Sequence, residues 1–253
     1  MTTSPSEPAA RIGGAQETGA QVEPVVRDSA GIARYRHEAI CAVLRVTDGR
    51  LAVLLSTRVS PPFAGLHTLP SGAVEPEETL DQAVLRHLAA KVDVAGLAHL
   101  EQLGTQSDPH RDPAQRTIGT GYLGLMQASN EPHLPDGAGW FDVDELPAMG
   151  FDHAAVVARA IERLRAKLSY TNLGFALAPD EFTIGELREV YVAALGHDVS
   201  ATNLQRILTR RGQLEATGAK HPVGSKGGRP AQVFRFVDRT LVVTDPFAVL
   251  RPD

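Results

Sequence analysis

The chain has 253 residues, 43% of them hydrophobic and 22% charged, which supplies a real core, excludes a chain disordered throughout, and favours two modest domains over one large one. A formal net charge of -5 excludes global attraction to polyanions, so any nucleic-acid contact must come from a local basic patch. The single cysteine, Cys41, reads as a small buried hydrophobe and excludes a disulfide framework or a cysteine-based zinc site.

Residues 1–35 are rich in Thr, Ser, Pro, Glu, Gly and Ala, without apolar periodicity, and are expected to form a disordered tail. From Glu38 the runs AICAVLRV and LAVLLSTR flank the turn TDGR, the pattern of a β-hairpin. After the loop VSPPFAGLHTLPSGAVEPEE, the stretch TLDQAVLRHLAAKV spaces Leu80, Ala83, Val84, His87, Leu88 and Lys91 as one helical face. Strands are expected over 97–106, 117–126 and 139–143, with a second helix from about Asp152 to Leu168. No apolar run reaches membrane-spanning length, and the N-terminus lacks a hydrophobic secretory stretch, so a cytoplasmic protein with no membrane partner is expected.

Near Ser169 the texture changes without a Pro/Gly linker, which places a domain boundary between 168 and 169. Beyond it, DEFTIGELREVYVAALG reads as a helix stopped by Gly196, and ATNLQRILTRRG as a second helix capped by Ser200. The segments QLEATG and AQVFRFV then flank a basic glycine-rich loop. Helix, turn, helix and two-stranded ribbon is the order of a winged helix-turn-helix.

Gly72, Glu78 and Arg86 stand at the spacing Gly, five residues, Glu, seven residues, Arg. This resembles the start of the Nudix box, the loop-helix motif of enzymes that cleave nucleoside diphosphates linked to another group. That pattern continues with glutamates one helical turn apart, which converge on magnesium. Here the continuation is R-H-L-A-A-K-V-D-V: His87, Ala90 and Lys91 replace the glutamates, while Leu88 and Val94 keep aliphatic positions. A divalent cation would lose its carboxylates and face an ammonium, so hydrolysis should fail, with no catalytic and no metal-ligating residue expected. The Arg-VSPPF-GLHTLPSG segment, the later DPAQRTIGTGYLGL and GWFDVDELP, and FDHAAVVARAIERLRAKL extend the resemblance over roughly Arg36 to Ser169.

The segment Tyr170 to Val237 closely resembles the C-terminal domain of the Nudix-related transcriptional regulators of NAD metabolism, the NrtR family. The resemblance implies an α/β protein: an N-terminal Nudix-fold α/β/α sandwich over 36–168, followed by a C-terminal winged helix-turn-helix domain over 169–253. It also implies a homodimer that represses NAD biosynthesis or salvage genes and leaves its operator DNA when ADP-ribose binds as effector, with no cofactor required. Candidate ligand residues are Arg58, Arg86 and Arg116, whose guanidinium groups match diphosphate oxygens, with Phe63 and His67 lining the pocket. Arg86 suits a second role equally, bracing the loop through Glu78, and Arg58 and Arg116 also read as solvated loop charges.

Between Asn203 and Arg239 the basic residues Arg206, Arg210, Arg211, Lys220, Lys226, Arg229, Arg235 and Arg239 face only Glu215 and Asp238. Thr202, Asn203, Gln205, Arg206, Thr209 and Arg210 are the candidates for the DNA-reading helix, with Lys226 and Arg229 in the wing. Two other readings stay open: a Nudix hydrolase with residual activity on ADP-ribose-type substrates, and a constitutive DNA-binding protein whose Nudix part only dimerises it.

Overall fold

A computed structural model describes residues 24–92, 94, 96–221 and 230–245. Its first elements are two short strands, β1 (Val26–Arg27) and β2 (Ala33–Arg34), paired antiparallel. The Asp28 carboxylate accepts the backbone N–H groups of Ala30 and Ile32 and so builds the turn between them. This corrects the expected extent of the disordered tail to residue 35. The order comes from local turn chemistry and not from burial, since Val26 and Ile32 remain exposed. Residues 1–23 of that tail lie outside the described residues.

The expected hairpin is β3 (Arg36–Thr47) and β4 (Arg50–Thr57), joined at Asp48 and Gly49, whose positive φ angles suit a tight two-residue turn. Successive β3 side chains point to opposite faces. Ala39, Cys41 and Val43 pack with Ala83, Val84 and Leu88 of α1 (Leu80–Val92). Ile40, Ala42, Leu44 and Val46 pack instead with Val156, Val157, Ala160 and Leu164 of α2 (His153–Tyr170). One strand pattern therefore seats a helix on each side of the sheet.

The sheet also contains β5 (His67–Thr68), β6 (Ser71–Ala73), β7 (His99–Gln106), β8 (Thr117–Leu125) and β9 (Ala138–Asp142). Its order is β5-β4-β3-β8-β7, with β6 paired to β3 and β9 to β4; β3 and β8 run parallel and the other pairs antiparallel. Glu101 of β7 ties the sheet to α2 through Arg163, 2.9 Å away, and Lys167. The expected α/β/α sandwich is thus present, and β5 and β6 are additions too short to carry a sequence pattern.

Helix α2 runs to Tyr170, so the boundary expected at 168–169 falls within its last turn. A 3-10 turn at Leu173–Ala176 follows, then β10 (Phe182–Thr183), α3 (Ile184–Leu195), α4 (Ala201–Arg210), β11 (Leu214–His221) and β12 (Ala231–Phe236). Thr183 and Glu186 cap α3 reciprocally, and Gly196 ends it in the left-handed conformation at φ 76°. Ser200 caps α4 by accepting the Asn203 N–H. The strands form a sheet in the order β10-β12-β11, completing a winged helix. A single apolar cluster runs from Ile40 and Leu164 through Leu173 and Phe175 to Phe182, Leu187, Leu208 and Phe236, so one core joins the sandwich to the winged helix.

Candidate functional site

Two loops of the sandwich are zipped together beside α2. The His67 N–H donates to the Ala148 carbonyl, and the Gly150 N–H donates to the His67 carbonyl at 2.9 Å. Phe63 and Phe151 both hold positive φ, 66° and 56°, and their rings meet edge to face at 4.9 Å. Backbone strain at two bulky residues in contact persists only where the surroundings enforce it, a feature concentrated at functional sites. Arg58 donates to the carbonyl oxygens of Pro62 (2.6 Å) and Pro61, and lays its guanidinium over the Phe151 ring. Arg58, Phe63 and His67 therefore share one wall, although the His67 ring itself packs edge to face on Phe141.

His153 opens α2 behind this wall. Its Nδ1 accepts the Leu69 N–H at 3.0 Å, which leaves the ring proton on Nε2, and that atom is buried without a partner among the described residues. Burial holds the imidazole pKa down at about 3, with the charges of Arg111, Arg58 and Lys91 adding to the effect and Asp152 opposing it. Arg111 is buried, forks onto Asp152 at 2.8 and 2.9 Å, and reaches Glu38 at 3.4 Å. Neither His153, Phe151 nor Arg111 stood out in the sequence. The only local signal was FDH at a helix start.

The box helix α1 lies against β6. Arg86 pairs with Glu78, whose carboxyl it holds down at about 2 with help from the Glu75 N–H, and donates to the Ala73 carbonyl at 3.0 Å. The bracing geometry is thus present. His87 Nε2 also lies 2.9 Å from the Ala73 carbonyl, and its ring stacks so closely over Gly72 that a Cβ there would come within 2.1 Å of it. Lys91 draws its ammonium in to the Ser71 carbonyl. Burial lowers the Lys91 pKa, Glu38 opposes this, and Arg58, Arg36 and Arg86 lower it further. Strand β6 thus offers its carbonyl oxygens to three donors of α1.

These residues do not fit a divalent cation. Magnesium takes carboxylate oxygens and ordered water. Here Glu78 is engaged by Arg86 and Glu38 by Arg111, and the helix positions that would add carboxylates hold His87, Ala90 and Lys91. Among the described residues, no group of three or more His, Cys, Asp or Glu side chains could hold a metal ion. What the site presents is fixed positive charge.

Arg116 lies apart from the wall formed by Arg58. Its guanidinium donates to the Ser107 and Asp108 carbonyls and sits over the Tyr35 ring. With Tyr35, Arg34, Arg36 and Gln115 it lines a cleft of about 300 Å³. Arg36 connects the two places, because its charge also acts on Lys91.

In the winged helix, α4 buries Leu204 and Leu208 and turns Thr202, Asn203, Arg206, Thr209 and Arg210 to solvent, with Gln205 half-buried. Arg206 donates to the Asn203 side-chain oxygen at 2.7 Å. Three cations of the expected basic patch are engaged internally: Arg211 with Asp245, Arg235 with Glu215, and Arg239 with Asp180. Lys226 and Arg229 lie outside the described residues. The helix surface is therefore where the described basic character concentrates. Also among the described residues, no helix is long and apolar enough to cross a membrane.

Residues 35–161 match the NUDIX domain family, and residues 174–236 match the NrtR DNA-binding winged helix domain. The chain is 29% identical over 206 residues to the ADPR responsive transcriptional repressor NtrR of Acinetobacter baylyi, a span of 77% of this chain and 79% of that repressor. Over 128 residues it is 30% identical to the ADP-ribose pyrophosphatase of Methanocaldococcus jannaschii, covering 49% of this chain and 73% of that enzyme. The crystal structure of Shewanella oneidensis NrtR complexed with a 27mer DNA matches at a TM-score of 0.66 and 30% identity, across 79% of this chain and 92% of that one. With both domains matched in order and one relative matched over nearly its whole length, the chain belongs to the NrtR family of Nudix-related regulators.

Proposed function

We propose that this chain is a cytoplasmic, homodimeric transcriptional repressor of NAD biosynthesis or salvage genes, released from its operator by ADP-ribose, which it binds and does not hydrolyse. Residues 36–168 are the sensor and residues 169–253 the DNA-binding part. The observation that carries this reading is the conversion of the Nudix helix from carboxylates to His87, Ala90 and Lys91 in a sandwich that shares its core with a winged helix. The names of its relatives support it: one is an ADPR responsive repressor and one an NrtR solved on DNA. The sensor wall is Arg58, Phe63 and His67, with Arg86 on α1 and Arg116 in the adjoining cleft. DNA meets Thr202, Asn203, Gln205, Arg206, Thr209 and Arg210, with Lys226 and Arg229 from the wing. One winged helix covers too little DNA for tight specific binding, which is why two copies are required.

The test is operator affinity. Duplexes selected by the full chain from a random pool should lose about tenfold or more in affinity when ADP-ribose is added, and saturating DNA should weaken ADP-ribose binding by the same factor. An affinity for DNA that ignores ADP-ribose would leave a constitutive DNA-binding protein. A second reading, a working hydrolase, draws on the identity to the archaeal pyrophosphatase. Product assays with magnesium or manganese would establish it if turnover reached about 1 per second.

A further inference from the structure

We infer that the Lys91 ammonium is the resident cation of this site, standing where the hydrolase pattern gathers carboxylates around a metal ion, and that it makes diphosphate recognition independent of any divalent metal. The second half rests on the reading of the Nudix domain as an ADP-ribose sensor.

Backbone carbonyls beside carboxylates are the oxygens a divalent cation seeks. Here the Ser71 carbonyl receives the Lys91 ammonium, while the Ala73 carbonyl faces Arg86 and the His87 ring. The acceptor edge of β6 is filled from within the chain. Charge balance points the same way: Arg36, Arg58 and Arg86 all disfavour the charge on Lys91, and Glu38 opposes them. Glu38 is itself shared with Arg111. A doubly charged cation placed here would add to that repulsion, whereas a diphosphate would relieve it.

An ammonium has three donors and Ser71 takes one, so among the described residues two are left for phosphate oxygens. Such bonds are charge-assisted and directional enough to hold a diphosphate. An ammonium does not, however, lower the pKa of a bound water as a metal does, so no hydroxide nucleophile forms at neutral pH. The lysine at position 91 thereby favours anion binding and, with His87 and Ala90, disfavours hydrolysis.

The experiment uses the full chain with Lys91→Met and Lys91→Glu, and the folding of both is verified by circular dichroism. Free manganese is followed by electron paramagnetic resonance, and ADP-ribose binding by calorimetry in EDTA and in magnesium. The wild type should bind ADP-ribose equally in both to within about twofold, and Lys91→Met should lose about tenfold or more, with no recovery in magnesium. Manganese should find no site tighter than millimolar in the wild type and bind about tenfold or more tightly in Lys91→Glu. Wild-type affinity that collapses in EDTA, or Lys91→Met binding like the wild type, would overturn the inference. If the wild type bound no ADP-ribose in either buffer, the sensor reading would fall instead. The manganese titration would still decide this one, since tight binding by the wild type or no gain in Lys91→Glu defeats it.

Discussion

Helices α1 and α4 both carry arginines, yet they use them in opposite directions. On α1, Arg86, His87 and Lys91 reach down to the carbonyls of β6, and Arg86 is further tied to Glu78. On α4, Arg206 and Arg210 stay at the surface, and the inward positions are Leu204 and Leu208. The contrast teaches that a basic residue type does not fix a role. What decides is whether an acceptor lies within reach: α1 covers an acceptor-rich strand edge, while α4 presents its polar face to water.

The tightest fit at α1 gives the largest expected effect. In Gly72→Ala the new Cβ would overlap the His87 ring, whose Nε2 is held at the Ala73 carbonyl. We expect a loss of about 1–3 kcal/mol in urea denaturation. Adding His87→Ala should restore most of it. A Gly72→Ala protein as stable as the wild type would mean that the ring swings aside freely and that β6 is not clamped.

This clamp was only partly legible in the sequence. The spacing of Gly72, Glu78 and Arg86 could be read directly, as could the apolar runs of β3 and β4 and the caps at Gly196 and Ser200, because each depends on neighbours close in the chain. The partners of Lys91 and His87 could not be read. Both are backbone carbonyls on a three-residue strand that has no periodicity of its own. Arg211, Arg235 and Arg239 counted as a DNA patch for the same reason: Asp245, Glu215 and Asp180 come near only in the folded chain. The β1–β2 pair leaves no such signal, because its apolar residues Val26 and Ile32 face solvent and follow no core pattern.

A second way to sharpen the comparison uses acid. His153 is buried neutral, so its folded pKa of about 3 lies below the ordinary 6.5, and in between the unfolded chain binds the proton more readily. Stability from this group is complete above pH 6.5 and is lost as the pH falls toward 3, with a slope of up to about 1.4 kcal/mol per pH unit. His153→Gln, whose side-chain oxygen can still accept the Leu69 N–H, should flatten that slope in urea titrations across the same window. An unchanged slope would place the acid sensitivity elsewhere.

The smallest effects belong to α4. Arg206→Ala and Arg210→Ala should each weaken DNA binding and reduce the salt dependence by roughly one unit of slope, while thermal stability stays within about 0.5 kcal/mol. Arg211→Ala, one position further on, should do the reverse. It breaks the 2.5 Å contact with Asp245 and the bond to the Ser169 carbonyl, so stability drops and the salt slope holds. Equal salt slopes for Arg210→Ala and Arg211→Ala would erase the distinction between outward and inward cations on this segment.

The apolar cluster that runs unbroken from the sheet through α2 to the winged helix makes the chain a lever with no joint. Densely packed interiors shift between discrete arrangements and do not bend gradually. A ligand bound in the sandwich, as the proposed function has it, would therefore not swing the winged helix about a tether. On the proposed function it would tilt the protomer as a whole, and a single small angle displaces atoms in proportion to their distance from the pivot. In the proposed dimer the quantity under control is then the angle at which two stiff bodies meet, and the operator acts as the gauge that reads it.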